Sequence, residues 1–365
     1  MHEPAPTATG RNSAGRARVV PPLVLLGAVA VADLATPDWL HVLPVMAAVP
    51  VLAAATNGVW VTAVLAGATL GATVLLEIRQ ELWERPDSDV TILTLVVVSL
   101  ASLLACSVRQ RRERELRQVR SVAEAAQRAL LRPLPRRIHS LALSGTYLAA
   151  ESEARIGGDF YEALHTPYGT RLLIGDVRGK GLPAVGASAA LLGSFRQAAY
   201  QEKSLADVAR RLEESVNRQI EAVHGELFTE RFATALLVEI PSAEPVARLV
   251  HCGHPEPLMI RAGRVEAHLP EPPGAPIGLA DLVGADPVTQ CVPFAEGDRM
   301  VLYTDGFIET RDRAGRFYDL VGRARARSTQ PLDDLVAGLR ADLLRHATGD
   351  LEDDAALLVI ERSAT

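Results

Sequence analysis

Apolar and polar positions are unevenly distributed along the chain. From Val19 to Leu76 the only acidic or basic side chains, histidine aside, are Asp33 and Asp38. Four apolar stretches, residues 19–36, 39–56, 58–76 and 90–108, each approach the ~20 residues a helix needs to cross the hydrocarbon core. They predict an all-α membrane bundle over residues 19–108 with about four transmembrane helices, after a short tail of residues 1–18. A cleaved secretory signal would supply one such stretch, so cleavage is not expected. Pro21, Pro22, Pro44 and Pro50 interrupt the first two stretches, which lipid-embedded helices tolerate.

Beyond Val108 the pattern changes. Leu116, Val119, Ala123, Ala126 and Leu130 recur at alternating steps of three and four, the spacing of a coiled-coil seam. This predicts a linker helix over residues 109–137 that either pairs two protomers or lies on the following domain as a single amphipathic helix. Pro133 and Pro135 end it.

From about Ile138 the chain alternates strand-like and helix-like segments. Residues 141–150, 171–177, 232–240, 246–252, 299–304 and 355–361 read as strands. Residues 183–200, 204–224 and 331–346 read as helices, the first with proline in its first turn and the second opening on Ser204 and Asp207. Strands grouped around helices predict an α+β layered domain over residues 138–365.

Charge adds an orientation and removes some functions. Arg11, Arg16 and Arg18 precede the apolar region, and Arg109, Arg111, Arg112, Arg114, Arg117 and Arg120 follow it. The loop between the third and fourth stretches is acid-rich. Four crossings would leave both arginine-rich ends, and the domain over residues 138–365, on the cytoplasmic side of a cell membrane. The net charge of −6 argues against a nucleic-acid partner. Cys106, Cys252 and Cys291 are scattered and odd in number, so they make neither a disulfide framework nor a metal knuckle. The apolar region has no carboxylate or histidine pair of the kind transporters use.

Candidate chemistry sits at the strand ends. Asp159 follows Gly157-Gly158, Asp176 lies in Gly175-Asp176-Val177-Arg178-Gly179-Lys180-Gly181, Asp305 precedes Gly306, and Asp353 precedes Asp354. Carboxylates beside glycines suit Mg²⁺ or Mn²⁺, which take oxygen ligands and keep several waters. Taken singly, an Asp-Gly pair is an ordinary turn.

Seven segments in order change that reading. They are residues 129–135, Ile156-Gly157-Gly158-Asp159-Phe160-Tyr161, the 175–181 turn, Cys252-Gly253-His254-Pro255-Glu256-Pro257, Glu296-Gly297-Asp298, Tyr303-Thr304-Asp305-Gly306-Phe307-Ile308-Glu309, and Asp353-Asp354. Together, over residues 130–361, they resemble the PPM (protein phosphatase type 2C-like) family of metal-dependent serine/threonine phosphatases. The likeness is to its bacterial branch, that of sporulation stage II E and the sigma-regulator phosphatases. The membrane region lies outside the resemblance.

The resemblance implies a four-layer α-β-β-α sandwich with two Mn²⁺ or Mg²⁺ ions in a cleft at one end. By correspondence, Asp176 would bridge both metals with the Val177 carbonyl on one. Asp305 and Asp353 would hold the other, and Asp159 would bind a metal or its water. Asp354 is an additional candidate ligand, and Asp159 and Asp176 are the catalytic pair. The ions would supply hydroxide for in-line attack on phosphorus. The implied substrate is a phosphoserine or phosphothreonine protein of the anti-sigma-factor-antagonist type. The rival reading is a catalytically silent phosphatase-like receptor or scaffold that binds a regulatory partner.

Two departures stand out. Arg178 and Lys180 occupy the turn where eukaryotic members carry a histidine that serves as general acid, leaving His254 as a candidate donor or a structural residue. Ala356 stands where the family has threonine, which should alter a supporting hydrogen bond and leave metal binding intact. The Gly157-Gly158-Asp159-Phe160 string lacks the glutamate of diguanylate cyclases, and Leu182 breaks the spacing of a phosphate loop.

Overall fold

The computed structural model describes residues 9–35, 43–79, 86–150, 158–222, 232–347 and 351–363. The start of the second apolar stretch, the middle of the acid-rich loop, Ile156, Gly157 and the end of the predicted 204–224 helix lie outside them. The chain divides into two compact units, Met1–Gln118 and Val119–Thr365.

The first unit is all-helical: α1 (Thr9–Ala35), α2 (Ala48–Thr56) after a 3₁₀ turn at Leu43–Ala47, α3 (Val59–Arg79) and the first part of α4 (Pro86–Leu130). Its polarity is inverted relative to a water-soluble bundle. Thr62, Thr69 and Thr73 are buried along one stripe of α3, and the last two return their hydroxyls to Leu65 O and Thr69 O. Trp60, Val64 and Leu75 point outward from the same helix, as do Leu93, Val97, Leu100 and Leu104 from α4. Large side chains outside and small ones between helices are what packing in lipid favours. Asp33 and Glu77 are both buried.

Where the sequence predicts about four transmembrane helices, the described residues contain three long and apolar enough to cross a membrane: Arg18–Ala35, Val59–Arg79 and a window within Asp89–Gln127. The second stretch departs because Pro44 and Pro50 each fall in the first turn of a new element, where a missing N–H costs nothing. The chain therefore restarts there, and α2 has only nine residues.

Among the described residues the second unit contains eleven strands: β1 (Arg137–Ile138), β2 (Leu141–Leu148), β3 (Phe160–Thr166), β4 (Gly169–Val177), β5 (Ala233–Ile240), β6 (Val246–Cys252), β7 (Leu258–Arg261), β8 (Arg264–Ala267), β9 (Thr289–Pro293), β10 (Arg299–Tyr303) and β11 (Ala355–Arg362). Its helices are α5 (Leu182–Gln201), α6 (Leu205–Ala222), α7 (Ala280–Val283), α8 (Asp305–Glu309), α9 (Leu320–Ala326) and α10 (Leu332–His346). One sheet has the order β1-β2-β11-β10-β7-β8 and the other β3-β4-β5-β6-β9; every adjacent pair is antiparallel.

Period-two alternation builds the layers. On β4, Leu172 and Ile174 face the other sheet while Leu173 and Val177 face the helices. On β11, Ala356, Leu358 and Ile360 point between the sheets, and Leu357 and Val359 point at the second helical layer. Central strands buried on both faces read as continuous apolar runs, which is why residues 171–177 and 355–361 were legible. Helices α5 and α6 cover one sheet, and α9 and α10 cover the other. The result is the expected four-layer α-β-β-α sandwich. The sequence reading missed β1, whose Arg137 falls in the predicted linker helix, and β3 and β7 to β9, whose short or half-polar runs carry little pattern.

Buried polar contacts anchor the α5–α6 layer. Arg171 on β4 is fully buried and pairs with Glu239 at 2.6 Å. It also donates to Ala199 O, Glu202 O and Lys203 O at the end of α5. A buried guanidinium with every contact satisfied fixes position more than it adds stability.

The linker seam is split. Leu116 and Val119 are exposed. Ala123 is buried against Val185 of α5, with Ala126 and Leu130 beside it. The C-terminal half therefore lies on the second unit as an amphipathic helix.

Candidate metal centre

Strand pairing places the four acids. Asp159 immediately precedes β3 and Asp176 is the last-but-one residue of β4; Phe160 pairs with Gly175, so both acids sit at one end of one sheet. Asp305 opens α8 just beyond β10, and Asp353 and Asp354 lead into β11. Tyr303 of β10 pairs with Leu357 of β11, so these acids share the end of the other sheet.

The two ends meet. One carboxylate oxygen from each of Asp159, Asp176 and Asp305 lies within 4.8 Å of the others. Asp353 stands close enough for its charge to raise the carboxyls of Asp176 and Asp305, and its Oδ2 is 3.2 Å from Lys180 Nζ. Three carboxylates from separate segments thus converge, and Asp353 stands beside them, outside the trio.

Electrostatics match a cation site. Burial first, and then the Asp176 charge, hold the Asp159 carboxyl well above the usual range. Burial, followed by Asp305 and Asp353, pushes Asp176 up to about 7. Asp305 is raised by burial, Glu309 and Asp353. Clustered buried carboxylates disfavour their own ionisation. An all-oxygen donor set of this kind fits Mn²⁺ or Mg²⁺, whose charge would relieve the repulsion.

Backbone close to the acids is tightly packed. A Cβ on Gly158 would stand 2.3 Å from Val177 O and 2.8 Å from Asp176 Oδ1. Only glycine lets the Asp159 loop approach the Asp176–Val177 strand end. The Gly158 carbonyl accepts from Val177 N at 3.3 Å and from Ser188 Oγ of α5 at 2.8 Å, linking that loop to the helical layer.

Several supporting residues escaped the sequence reading. Thr304 Oγ1 donates to Asp159 Oδ2 at 2.7 Å and accepts from Ala356 N at 2.9 Å. The threonine preceding Asp305 thereby serves a backbone group on the strand where Ala356 supplies no hydroxyl. Asp354, considered above as an additional ligand, is enclosed by protein donors. Its Oδ2 accepts from the Tyr147 hydroxyl and from Gln127 Nε2 at 3.2 Å, and its Oδ1 from Ala150 N at 2.9 Å. Asp354 lies outside the converging trio. Gln127 belongs to α4, so the linker helix touches the residue beside Asp353.

His254 is buried, with Nδ1 3.0 Å from Thr234 Oγ1. Burial pushes its imidazole down to about 3, which leaves it neutral near pH 7 and unsuited to donating a proton. Arg178 lies over the Phe232 ring at 5.2 Å. A cavity of about 220 Å³ opens beside the cluster, lined by Asp305, Glu309, Arg311, Phe317, Glu352 and Asp353 among others.

Comparison with known proteins bears on the family and the fold. The family model described as Stage II sporulation protein E (SpoIIE) matches residues 166–363. Among solved structures, the RsbU and RsbW domains of Rv1364c from Mycobacterium tuberculosis are similar at 24% identity with a TM-score of 0.52, over 61% of this chain and 60% of that one. The SiaA-PP2C domain of Pseudomonas aeruginosa is similar at 20% identity with a TM-score of 0.55, over 69% of this chain and 98% of that one. The chain therefore spans well under two thirds of the Rv1364c structure and nearly all of the SiaA domain. At these identities the likeness is one of fold.

Proposed function

The chain belongs to the SpoIIE family, and we propose that its second unit is a PP2C-type phosphatase domain that dephosphorylates a small phosphoserine or phosphothreonine regulatory protein at a membrane surface. The observation that carries the catalytic part is the convergence of Asp159, Asp176 and Asp305 within 4.8 Å.

In this reading Asp176, Asp305, Asp353, Asp159 and the Val177 carbonyl would together hold two Mn²⁺ or Mg²⁺ ions. When bound, such ions make water nucleophilic near neutral pH and offset phosphoryl charge. The chain's own residues do the positioning. Thr304 fixes the rotamer of Asp159, Gly158 admits the strand end, and Ser188 ties both to α5. The neighbouring cavity leaves room for a phosphorylated side chain, and no cysteine or serine nucleophile is needed.

The substrate class rests on the family. SpoIIE membership and the likeness to a protein that joins RsbU and RsbW domains support a partner-switching role, with an anti-sigma-factor antagonist as the phosphoprotein. Anchoring rests on the three apolar helices. The arginines from Arg109 to Arg120 support a cytoplasmic catalytic unit. The exposed Leu116 and Val119 are where a second copy would pair.

Phosphate release from a phosphorylated antagonist with Mn²⁺, comparing wild type with Asp176→Asn, tests this function. The expected loss is about 10²-fold or more. Equal rates from the two proteins would leave a silent binding domain instead.

A further inference from the structure

The only described basic side chain ion-paired with any of the four acids is Lys180, whose Nζ lies 3.2 Å from Asp353 Oδ2. It reaches across from the turn between β4 and α5 to the loop that feeds β11. Glycines on both sides, Gly179 at φ +116° and Gly181 at φ +80°, give the turn a path that ordinary residues avoid. The turn ends at the start of α5, a 20-residue helix with no capping side chain on Gly181. The positive end of the helix dipole therefore adds to the lysine charge.

The Lys180–Asp353 pair is built to exchange. Both side chains are about half exposed, at 40% and 51%. An exposed pair of this kind contributes little to stability, so a divalent cation arriving at Asp353 displaces it readily. The other cations nearby are engaged on rings: Arg178 over Phe232 at 5.2 Å and Arg311 over Phe317 at 3.9 Å. Lys180 is left as a half-exposed ammonium at the edge of an acidic site.

We propose that Lys180 is the phosphoryl-binding cation of this site, held on Asp353 in the metal-free protein and released to the substrate's phosphate when metal takes Asp353. A phosphomonoester dianion brought against the acids carries more charge than the metals and Asp set cancel. An ammonium beside it supplies a charge-assisted hydrogen bond. Lys180 forms no covalent bond and moves no proton in this role. The same residue therefore competes with metal before loading and favours substrate after it. The inference rests on the metal-binding reading given above.

The test uses the full-length chain in detergent and the variants Lys180→Gln and Lys180→Arg. Mn²⁺ binding is followed without substrate, by the electron paramagnetic resonance signal of the free ion. Lys180→Gln is expected to bind Mn²⁺ about two- to fivefold more tightly, the scale of an exposed ion pair removed. At saturating Mn²⁺ its KM for a phosphoprotein is expected to rise about tenfold, the scale of one hydrogen bond to a charged group. Lys180→Arg is expected to restore the KM. Either quantity unchanged in Lys180→Gln overturns the proposal. A wild type that binds no Mn²⁺ overturns the metal reading itself, which separates the two failures.

Discussion

Thr304 donates its hydroxyl hydrogen to Asp159 Oδ2 across 2.7 Å, joining residues 145 positions apart and on opposite sheets. The same oxygen takes the Ala356 amide, so one buried hydroxyl serves a proposed ligand from one sheet and a strand backbone from the other. Thr304→Val preserves shape and removes both bonds. It is expected to cost about 1–3 kcal/mol, the penalty for leaving buried groups unpaired, and to weaken Mn²⁺ binding. Chemical denaturation followed by circular dichroism, with a Mn²⁺ titration, checks both. Unchanged stability and affinity would remove Thr304 from the support of the site.

Gly158→Ala tests the close approach of the Asp159 loop. The added methyl would stand 2.3 Å from Val177 O, against backbone that must shift for it. The expected cost is about 1–3 kcal/mol, as for other overpacking, accompanied by loss of Mn²⁺-dependent activity because Asp176 and Val177 move with the strand end. Normal activity in this variant would show that the strand end gives way harmlessly.

His254 makes stability sensitive to acid. Burial holds its folded imidazole at about 3, whereas an unfolded histidine titrates near 6.5. Between these values the unfolded chain binds a proton that the folded one refuses. Stability is therefore full above about pH 6.5 and falls as pH drops towards about 3, by at most about 1.4 kcal/mol per pH unit. His251, pushed down to about 4 by burial and by His268, acts in the same direction. A His254→Asn variant should lose less stability than wild type between pH 7 and pH 5 in matched denaturation curves. Parallel losses would mean that the buried acids dominate that window.

The linker carries a separable prediction. Leu116 is exposed while Ala123 is buried against α5, so pairing between copies would use the N-terminal part of the seam. Leu116→Cys should form a disulfide-linked dimer in native membranes under mild oxidation. Absence of that dimer would leave the helix a monomeric strut.

How much of this was written in the chain follows from what each feature depends on. The central strands β4, β5, β10 and β11, the helices α5, α6 and α10, and the apolar region follow from local periodicity and composition, which neighbours in sequence decide. The half-polar strands β3, β8 and β9 lack that pattern, and the short β7 has too few residues to show one. The second apolar stretch read as a span because hydropathy averages over Pro44 and Pro50, whereas the backbone does not.

The acids themselves were legible as strand-end carboxylates, and their convergence was only implied by likeness. Which partners they meet was decided by sheet pairing and layer packing. Asp159 finds Thr304, Asp354 finds Tyr147 and Gln127, and Asp353 finds Lys180, each partner drawn from a distant part of the chain. Sequence determined which residue types stand at the ends of the strands, because pattern and propensity act over a few residues. Tertiary structure alone decided which of those ends meet, because the burial that drives strands together is non-directional and only the closed sandwich assigns each carboxylate its neighbour.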